Sequence, residues 1–319
     1  MTLMSLKKFL SPDFNKINKI IKHTLSPEGP VVNNESYELF KSGGKKIRPT
    51  FTLLAGKLGD PEKYQQVLNT SAALELIHMA TLVHDDIIDD SNLRRGQSTV
   101  YYKHGYFQAV NTGNYLLANS IYLVSDIKHH EFHNTFSKAI ESIVEGELIQ
   151  FNQQFDALQT MEDYYRKIYR KTALLIEMSV KLGGYAGNVE QSVLDALIKY
   201  GYHIGMSFQI IDDCLDFIGD EKSLGKPKFS DLQNGHYTLP VLLLRDKDDV
   251  FKEKLMSYQH NPTLLQELTR RVLESSEIDN AVEISNNHIA EADNAIRNIE
   301  EPYRAYFLEI SKKLKNRLN

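Results

Sequence analysis

The 319-residue chain contains a single cysteine, Cys214. An intramolecular disulfide is therefore excluded, and the thiol fits a reducing compartment. There is no uninterrupted apolar run of the length a membrane span requires. The start, MTLMSLKKFLSPDF, lacks the apolar stretch and small-residue cleavage site of a secretory signal. Basic charge is not in excess either: the formal net charge is −5, which argues against a general nucleic-acid binder. No stretch alternates long enough to predict a strand, no fixed-period repeat or low-complexity tract occurs, and the P-loop pattern G-x-x-x-x-G-K-[ST] is missing. The expectation from these absences is a soluble cytoplasmic protein. Its 42% hydrophobic content is enough for a substantial core.

Helical periodicity fills most of the chain. SPDFNKINKIIKHTL predicts a first helix with Ser11 as N-cap and Pro12 at its first position. Residues 61–90 predict the longest helix. Ala72, Ala73, Leu74, Leu76, Ile77, Met79, Ala80, Leu82 and Val83 make it apolar nearly all round, as a helix in the centre of a domain would be. Further helices are expected over about 106–127, 130–151, 161–183 and 190–219, with an outer amphipathic layer over 248–317. Short Gly/Pro breaks such as SGGKK and GDP are too brief to link domains. The expectation is one all-α domain over residues 1–319.

Two segments carry the chemistry. LVHDDIIDDSNLRRG holds Asp85, Asp86, Asp89 and Asp90, and FQIIDDCLDF holds Asp212, Asp213 and Asp216. Each contains D-D-x-x-D at the end of an apolar helical run. Positions i and i+4 lie about 40° apart on a helix, so Asp85 shares a face with Asp89, and Asp212 with Asp216. Carboxylates near a helix C-terminus face an unfavourable dipole, which a hard divalent cation offsets. Mg²⁺ takes oxygen ligands and combines one or two carboxylates with substrate phosphates. Two such pairs facing each other would clamp a diphosphate. Basic residues agree with an anionic substrate: Lys45, Lys46 and Arg48 in GGKKIRP, Arg94 and Arg95 after the first cluster, Lys171 beside Thr172, and Lys226. His78, seven residues before Asp85, is either a satisfied core histidine or a neutral donor to a diphosphate oxygen.

In order and spacing, GGKKIRP, ELIHMATLVHDDIIDDSNLRRG, EGELIQ, KTALL, FQIIDDCLD, LGKPKFSDL and TLP resemble the trans-polyprenyl diphosphate synthases over about residues 35–245. The likeness is greatest to the large catalytic subunit of bacterial two-component heptaprenyl or hexaprenyl synthases. That resemblance implies an antiparallel helical bundle around a deep central cavity, the isoprenoid synthase type, commonly dimeric. It implies Mg²⁺ on Asp85, Asp89 and Asp212. It implies isopentenyl diphosphate held by Lys45, Arg48, His78 and Arg95, and an allylic diphosphate, farnesyl diphosphate for instance, held by Arg94, Lys171, Thr172, Gln209 and Lys226. Asp85, Asp89, Arg94, Lys171 and Asp212 would carry the catalysis. Small residues before the first cluster, Ala80 and Thr81 with Ile77 a turn below, would let a long product grow, such as the side chain of menaquinone. The resemblance also implies a homodimer or a small helical partner subunit. Two departures stand out: Ser98 replaces the usual proline after R-R-G, and His236 stands where many members carry a stronger base. The alternatives are a shorter-chain farnesyl or geranylgeranyl synthase, a terpene cyclase, which needs no second diphosphate site, and a non-catalytic partner, which has no use for intact acidic clusters.

Overall fold

The computed structural model describes residues 5–26, 30–44, 46–88, 90–94, 96–152, 154–219 and 228–318, with side chains excepted at 144, 146–152 and 318. The chain forms two compact units, residues 1–137 with 178–197 and residues 138–177 with 198–319. Helix dominates both, as the periodicity predicts.

The first unit is built from α1 (Leu6–Leu25), α2 (Val31–Lys41), α3 (Ile47–Gly56), α4 (Tyr64–Ile88) and α5 (Val100–Val124). Helix α1 starts earlier than the expected Ser11 cap and runs through Pro12. The buried stripe explains this. Leu6 and Leu10 extend the line of Ile17, Ile21 and Leu25. Burying each stabilises by about 1.5–3 kcal/mol, which offsets the roughly 3 kcal/mol cost of an internal proline. Helix α4 follows a short 3₁₀ turn, Pro61–Lys63, capped by the Asp60 side chain accepting from the Glu62 N–H. Leu68, Ala72, Leu76, Ala80 and Val83 are all buried, and α1, α3 and α5 pack around it. It is the central helix the apolar pattern predicts. Helix α5 is interrupted at Gly105 (φ 78°, ψ 177°), so its long regular run begins at Tyr106, close to expectation.

No strand is expected, yet Leu93–Arg94 (β1) and Gln97–Ser98 (β2) form a two-residue antiparallel ladder. A ladder this short leaves no alternation to read.

The second unit contains most of α6 (His130–Asn152), α7 (Met161–Ile168) and most of α9 (Gln191–Ile218). It also holds α10 (Ser230–Gln233), α11 (Leu239–Arg245), α12 (Asp249–Ser257), α13 (Leu265–Glu274), α14 (Glu277–Ala295) and α15 (Tyr303–Lys315). Tyr164, Ile210, Cys214, Phe217, Tyr237, Leu242 and Phe251 lie in its core. One departure from the expected helix over 161–183 matters. Tyr169–Ala173 is a π turn between α7 and α8 (Leu174–Ala186). Gly205 of α9 lies against it: a Cβ at 205 would stand 2.4 Å from the Ala173 Cα. Tyr169 donates to Glu177 Oε2 across the widened turn at 3.1 Å. Turns of this kind concentrate at functional sites, and this one carries Lys171 and Thr172. No described helix is long and apolar enough to cross a membrane.

Candidate functional site

The first acidic cluster sits where α4 ends, and its crowding is resolved residue by residue. Asp86 is buried and accepts from Arg94 Nε at 2.6 Å. Its backbone carbonyl accepts from the Ser91 N–H at 2.9 Å, which turns the chain back. Asp90 takes a positive φ of 48° and is exposed. The Tyr101 phenol donates to it, and that bond raises the Tyr101 pKa. Asp85 is half-buried in the last turn of α4. Asp89 and Arg95 lie outside the described residues, as do Lys45 and Lys226.

Two turns down the same helix, a cavity of about 300 Å³ is lined by Gly43, Gly44, Lys46, Arg48, Glu75 and His78, with Met79 and Leu82 among its apolar walls. Lys46 begins α3 in a left-handed conformation (φ 52°). Its ammonium lies 3.5 Å from Glu75 Oε1 and 5.0 Å from the centre of the Phe40 ring. Burial pulls the Arg48 pKa down to about 10, against the raising effect of the Glu75 charge, so the guanidinium stays protonated near neutrality. Its Nε is buried with no hydrogen-bond partner among the described residues. A buried guanidinium donor without an acceptor, beside a lysine, makes a site for an anion. The sequence reading did not single out Glu75. Its signal is an acid three residues before His78 in an otherwise apolar helix. Ile77 and Ala80 are fully buried on α4, and half-buried Thr81 donates to the His78 carbonyl at 2.8 Å.

In the second unit, the π turn and α9 present a hydrogen-bonded chain. Thr172 Oγ1 donates to Gln209 Oε1 at 2.6 Å, and Gln209 Nε2 donates to Asp213 Oδ1 at 2.8 Å. The Tyr164 hydroxyl donates to Asp213 Oδ2 at 2.7 Å. Burial pushes the Asp213 carboxyl up to about 6, against these two hydrogen bonds. Lys167 Nζ reaches Gln159 Oε1 at 3.2 Å and the Tyr237 carbonyl at 3.4 Å. A small recess is lined by Lys167, exposed Lys171, Gln209, Asp213, Asp231 and His236. Tyr164 and Lys167 had no sequence signal, since Tyr164 meets Asp213 across 49 residues.

The two D-D-x-x-D motifs divide their labour alike. The first aspartate of each, Asp85 and Asp212, is half-buried, while the second, Asp86 and Asp213, is buried and hydrogen-bonded by protein. Asp216 departs from the expected pairing with Asp212. It is wholly buried, accepts from Ser230 Oγ at 3.1 Å and from the Asp231 N–H at 3.3 Å, and so fastens the 229–231 turn to the end of α9. Asp212 carries a contact no spacing rule predicts: Arg317 Nη2 stands 3.4 Å from its Oδ1. Asp85 in the first unit and Asp212 in the second each offer hard oxygen donors, the type that magnesium or calcium takes, although no three such side chains cluster among the described residues.

The chain is similar to proteins already known. The sequence profile of the polyprenyl synthetase family matches residues 30–274. A protein of Bacillus subtilis named heptaprenyl diphosphate synthase component 2 is 38% identical over 277 residues, which cover 87% of this chain and 78% of that protein. The crystal structure of heptaprenyl diphosphate synthase from Staphylococcus aureus superposes with a TM-score of 0.92 at 38% identity, covering 97% of this chain and 99% of that one. A polyprenyl synthase from Caulobacter crescentus, crystallised with calcium and isoprenyl diphosphate, superposes with a TM-score of 0.88 at 26% identity, covering 98% of this chain and 97% of that one. The all-α isoprenoid synthase fold expected from the motifs is therefore the fold of this chain, which belongs to the polyprenyl synthetase family and is a prenyltransferase.

Proposed function

We propose that the chain is a long-chain trans-polyprenyl diphosphate synthase of heptaprenyl type. It joins isopentenyl diphosphate head-to-tail to an allylic diphosphate, with farnesyl diphosphate as the primer and the menaquinone side chain as the use of the product. The observation that carries this reading is the anion cavity of the first unit, lined by Arg48 and Lys46 at the start of α3 and by His78, two turns before Asp85 on α4. A terpene cyclase has one diphosphate to hold and no need of that cavity.

The residues divide as follows in this proposal. Arg48 and His78, with Lys45 and Arg95, hold isopentenyl diphosphate. Lys171, Thr172, Gln209, Lys226 and Arg94 hold the allylic diphosphate. Arg94 is already tied to Asp86 through Nε, so its remaining donors would serve the substrate. Asp85, Asp89 and Asp212 would hold Mg²⁺, which when bound supplies positive charge to the leaving diphosphate. The cations of the chain add to that charge, the allylic C–O bond breaks with its electron pair leaving on the diphosphate, and the double bond of isopentenyl diphosphate attacks the allylic carbocation that remains. The proton lost in forming the new double bond leaves to the departing pyrophosphate. No protein nucleophile is required. The protein positions two anions and keeps water from a carbocation.

Ala80 and Thr81 set product length in this reading, because an extending tail gains about 0.8 kcal/mol per buried CH₂ wherever the wall is open; their small size fits a long-chain product of the heptaprenyl class. We read residues 1–319 as one functional domain, a view supported by a family profile over residues 30–274 that spans both units, and we place it in the cytoplasm. Exposed Tyr106, Phe107, Ile121 and Tyr122 on α5 support association with a second chain, either a copy of itself or a small helical subunit, and the name of the Bacillus subtilis relative favours the latter.

Pyrophosphate release tests the reading. With Mg²⁺ it is expected only when farnesyl and isopentenyl diphosphates are both present, and to cease with a chelator. Release from farnesyl diphosphate alone, at an undiminished rate, would favour a cyclase instead.

A further inference from the structure

Arg317 belongs to the short 3₁₀ turn Asn316–Leu318 that follows α15. Its guanidinium lies over the Phe208 ring, 4.7 Å from the ring centre, and Nη2 reaches Asp212 Oδ1 at 3.4 Å. Phe208 and Asp212 are one helical turn apart on α9, so the group lies along one stripe of that helix. Its Nη1 is buried and has no hydrogen-bond partner among the described residues.

The contrast with Arg94 is informative. Arg94 meets a buried aspartate at 2.6 Å, the length of a strong charge-assisted bond. Arg317 meets a half-exposed aspartate at 3.4 Å, beyond that length. The first contact is built to stay. The second supplies positive charge to Asp212 without the geometry that would hold it there. A guanidinium fork with one loose bond and one buried donor lacking an acceptor is suited to an oxyanion.

We propose that Arg317 is a further residue of the diphosphate site. It neutralises Asp212 in the ligand-free chain, gives up that carboxylate when a divalent cation takes it, and turns its freed fork to a diphosphate oxygen. This rests on Asp212 being a metal ligand, as proposed above. One consequence separates the idea from a merely structural role: removing the guanidinium should affect the two ligands with opposite signs.

The test uses the full chain and two probes, Mn²⁺ alone, followed by paramagnetic resonance, and inorganic pyrophosphate at saturating Mn²⁺, followed by calorimetry. Arg317→Gln should bind Mn²⁺ alone more tightly, by up to about fivefold, the upper worth of a half-exposed ion pair. The same variant should bind pyrophosphate about tenfold more weakly, the loss of a charge-assisted bond. Arg317→Lys keeps the charge but loses the fork, so its Mn²⁺ affinity should match the wild type while pyrophosphate binding weakens. Effects of the same sign on both probes, or none, overturn the proposal. If Arg317→Gln does not fold, wild-type pyrophosphate affinity in Arg317→Lys overturns it. Asp212→Asn checks the layer beneath: Mn²⁺ affinity unchanged in that variant would mean that the metal assignment itself is wrong, and the proposal would fall with it.

Discussion

Gly205→Ala should separate the placement of the allylic-side residues from the stability of the fold. The added Cβ would stand 2.4 Å from the Ala173 Cα, 2.7 Å from its Cβ and 3.0 Å from its carbonyl oxygen. Ordinary contact begins near 3.4 Å, so the π turn and α9 must part by about 1 Å, the scale at which misplaced groups cost about 100-fold in rate. Overpacking of this kind costs about 1–3 kcal/mol, enough to lower the melting temperature by a few degrees without unfolding a chain of this size. The parting pulls Thr172 from Gln209, whose bond is 2.6 Å. Steady-state kinetics should therefore show kcat lower by about 100-fold. The KM for isopentenyl diphosphate should hold, because Arg48 and His78 lie in the first unit. Adding Ala173→Gly should restore little, since the nearest clash is with a backbone atom. Wild-type kcat in a folded Gly205→Ala chain would refute the claim that the π turn positions the chemistry.

Asp85→Ala, Asp89→Ala and Asp212→Ala should each lower turnover by at least about 1,000-fold with circular dichroism unchanged, as expected when charge stabilisation of a leaving group is lost; near-normal turnover in Asp85→Ala would remove it from the metal site. Arg48→Ala should raise the KM for isopentenyl diphosphate, and Lys226→Ala the KM for the allylic substrate, when each is varied separately; equal effects on both would undo the assignment. Ala80→Phe should shorten products to about three or four isoprene units by filling the path of the tail, with about 0.8 kcal/mol lost per CH₂ no longer buried; unchanged lengths in an active variant would place the path elsewhere. His203 and His288 meet through their Nδ1 atoms at 3.0 Å. Burial, then His203, holds His288 down to about 4, against Glu291. The unfolded chain binds the extra proton first, so stability should fall as pH drops from about 6.5 towards 4. His288→Gln should flatten that part of a urea-unfolding profile, and an unaltered profile would count against the pair.

Much of this architecture was legible because it is local. The all-round apolar character of residues 72–83 placed α4 at the centre of its unit. The i, i+4 relation marked Asp85 and Asp212, whose half-buried positions distinguish them from their buried neighbours. GGKKIRP led to Arg48 and its cavity. What escaped depends on contacts between distant segments. Arg317 meets Asp212 across 105 residues. The helical start before Pro12 required knowing that Leu6 and Leu10 are buried. The π turn packs against Gly205, which lies beyond any local window around Tyr169–Ala173. Asp216 shares a helix face with Asp212 by spacing, but spacing records direction around a helix, not what waits in that direction, here the 229–231 turn.

The central claim is that this chain elongates an allylic diphosphate by repeated condensation. Its most direct test is to incubate the purified chain, alone and with a small helical partner subunit, with Mg²⁺, farnesyl diphosphate and labelled isopentenyl diphosphate, then to resolve the dephosphorylated products by length. The account predicts a ladder of linear prenyl alcohols, each one isoprene unit longer than the last and ending near heptaprenol, with the longest products dependent on the partner. Label absent from any prenyl product, or a cyclic hydrocarbon made from farnesyl diphosphate, would contradict it.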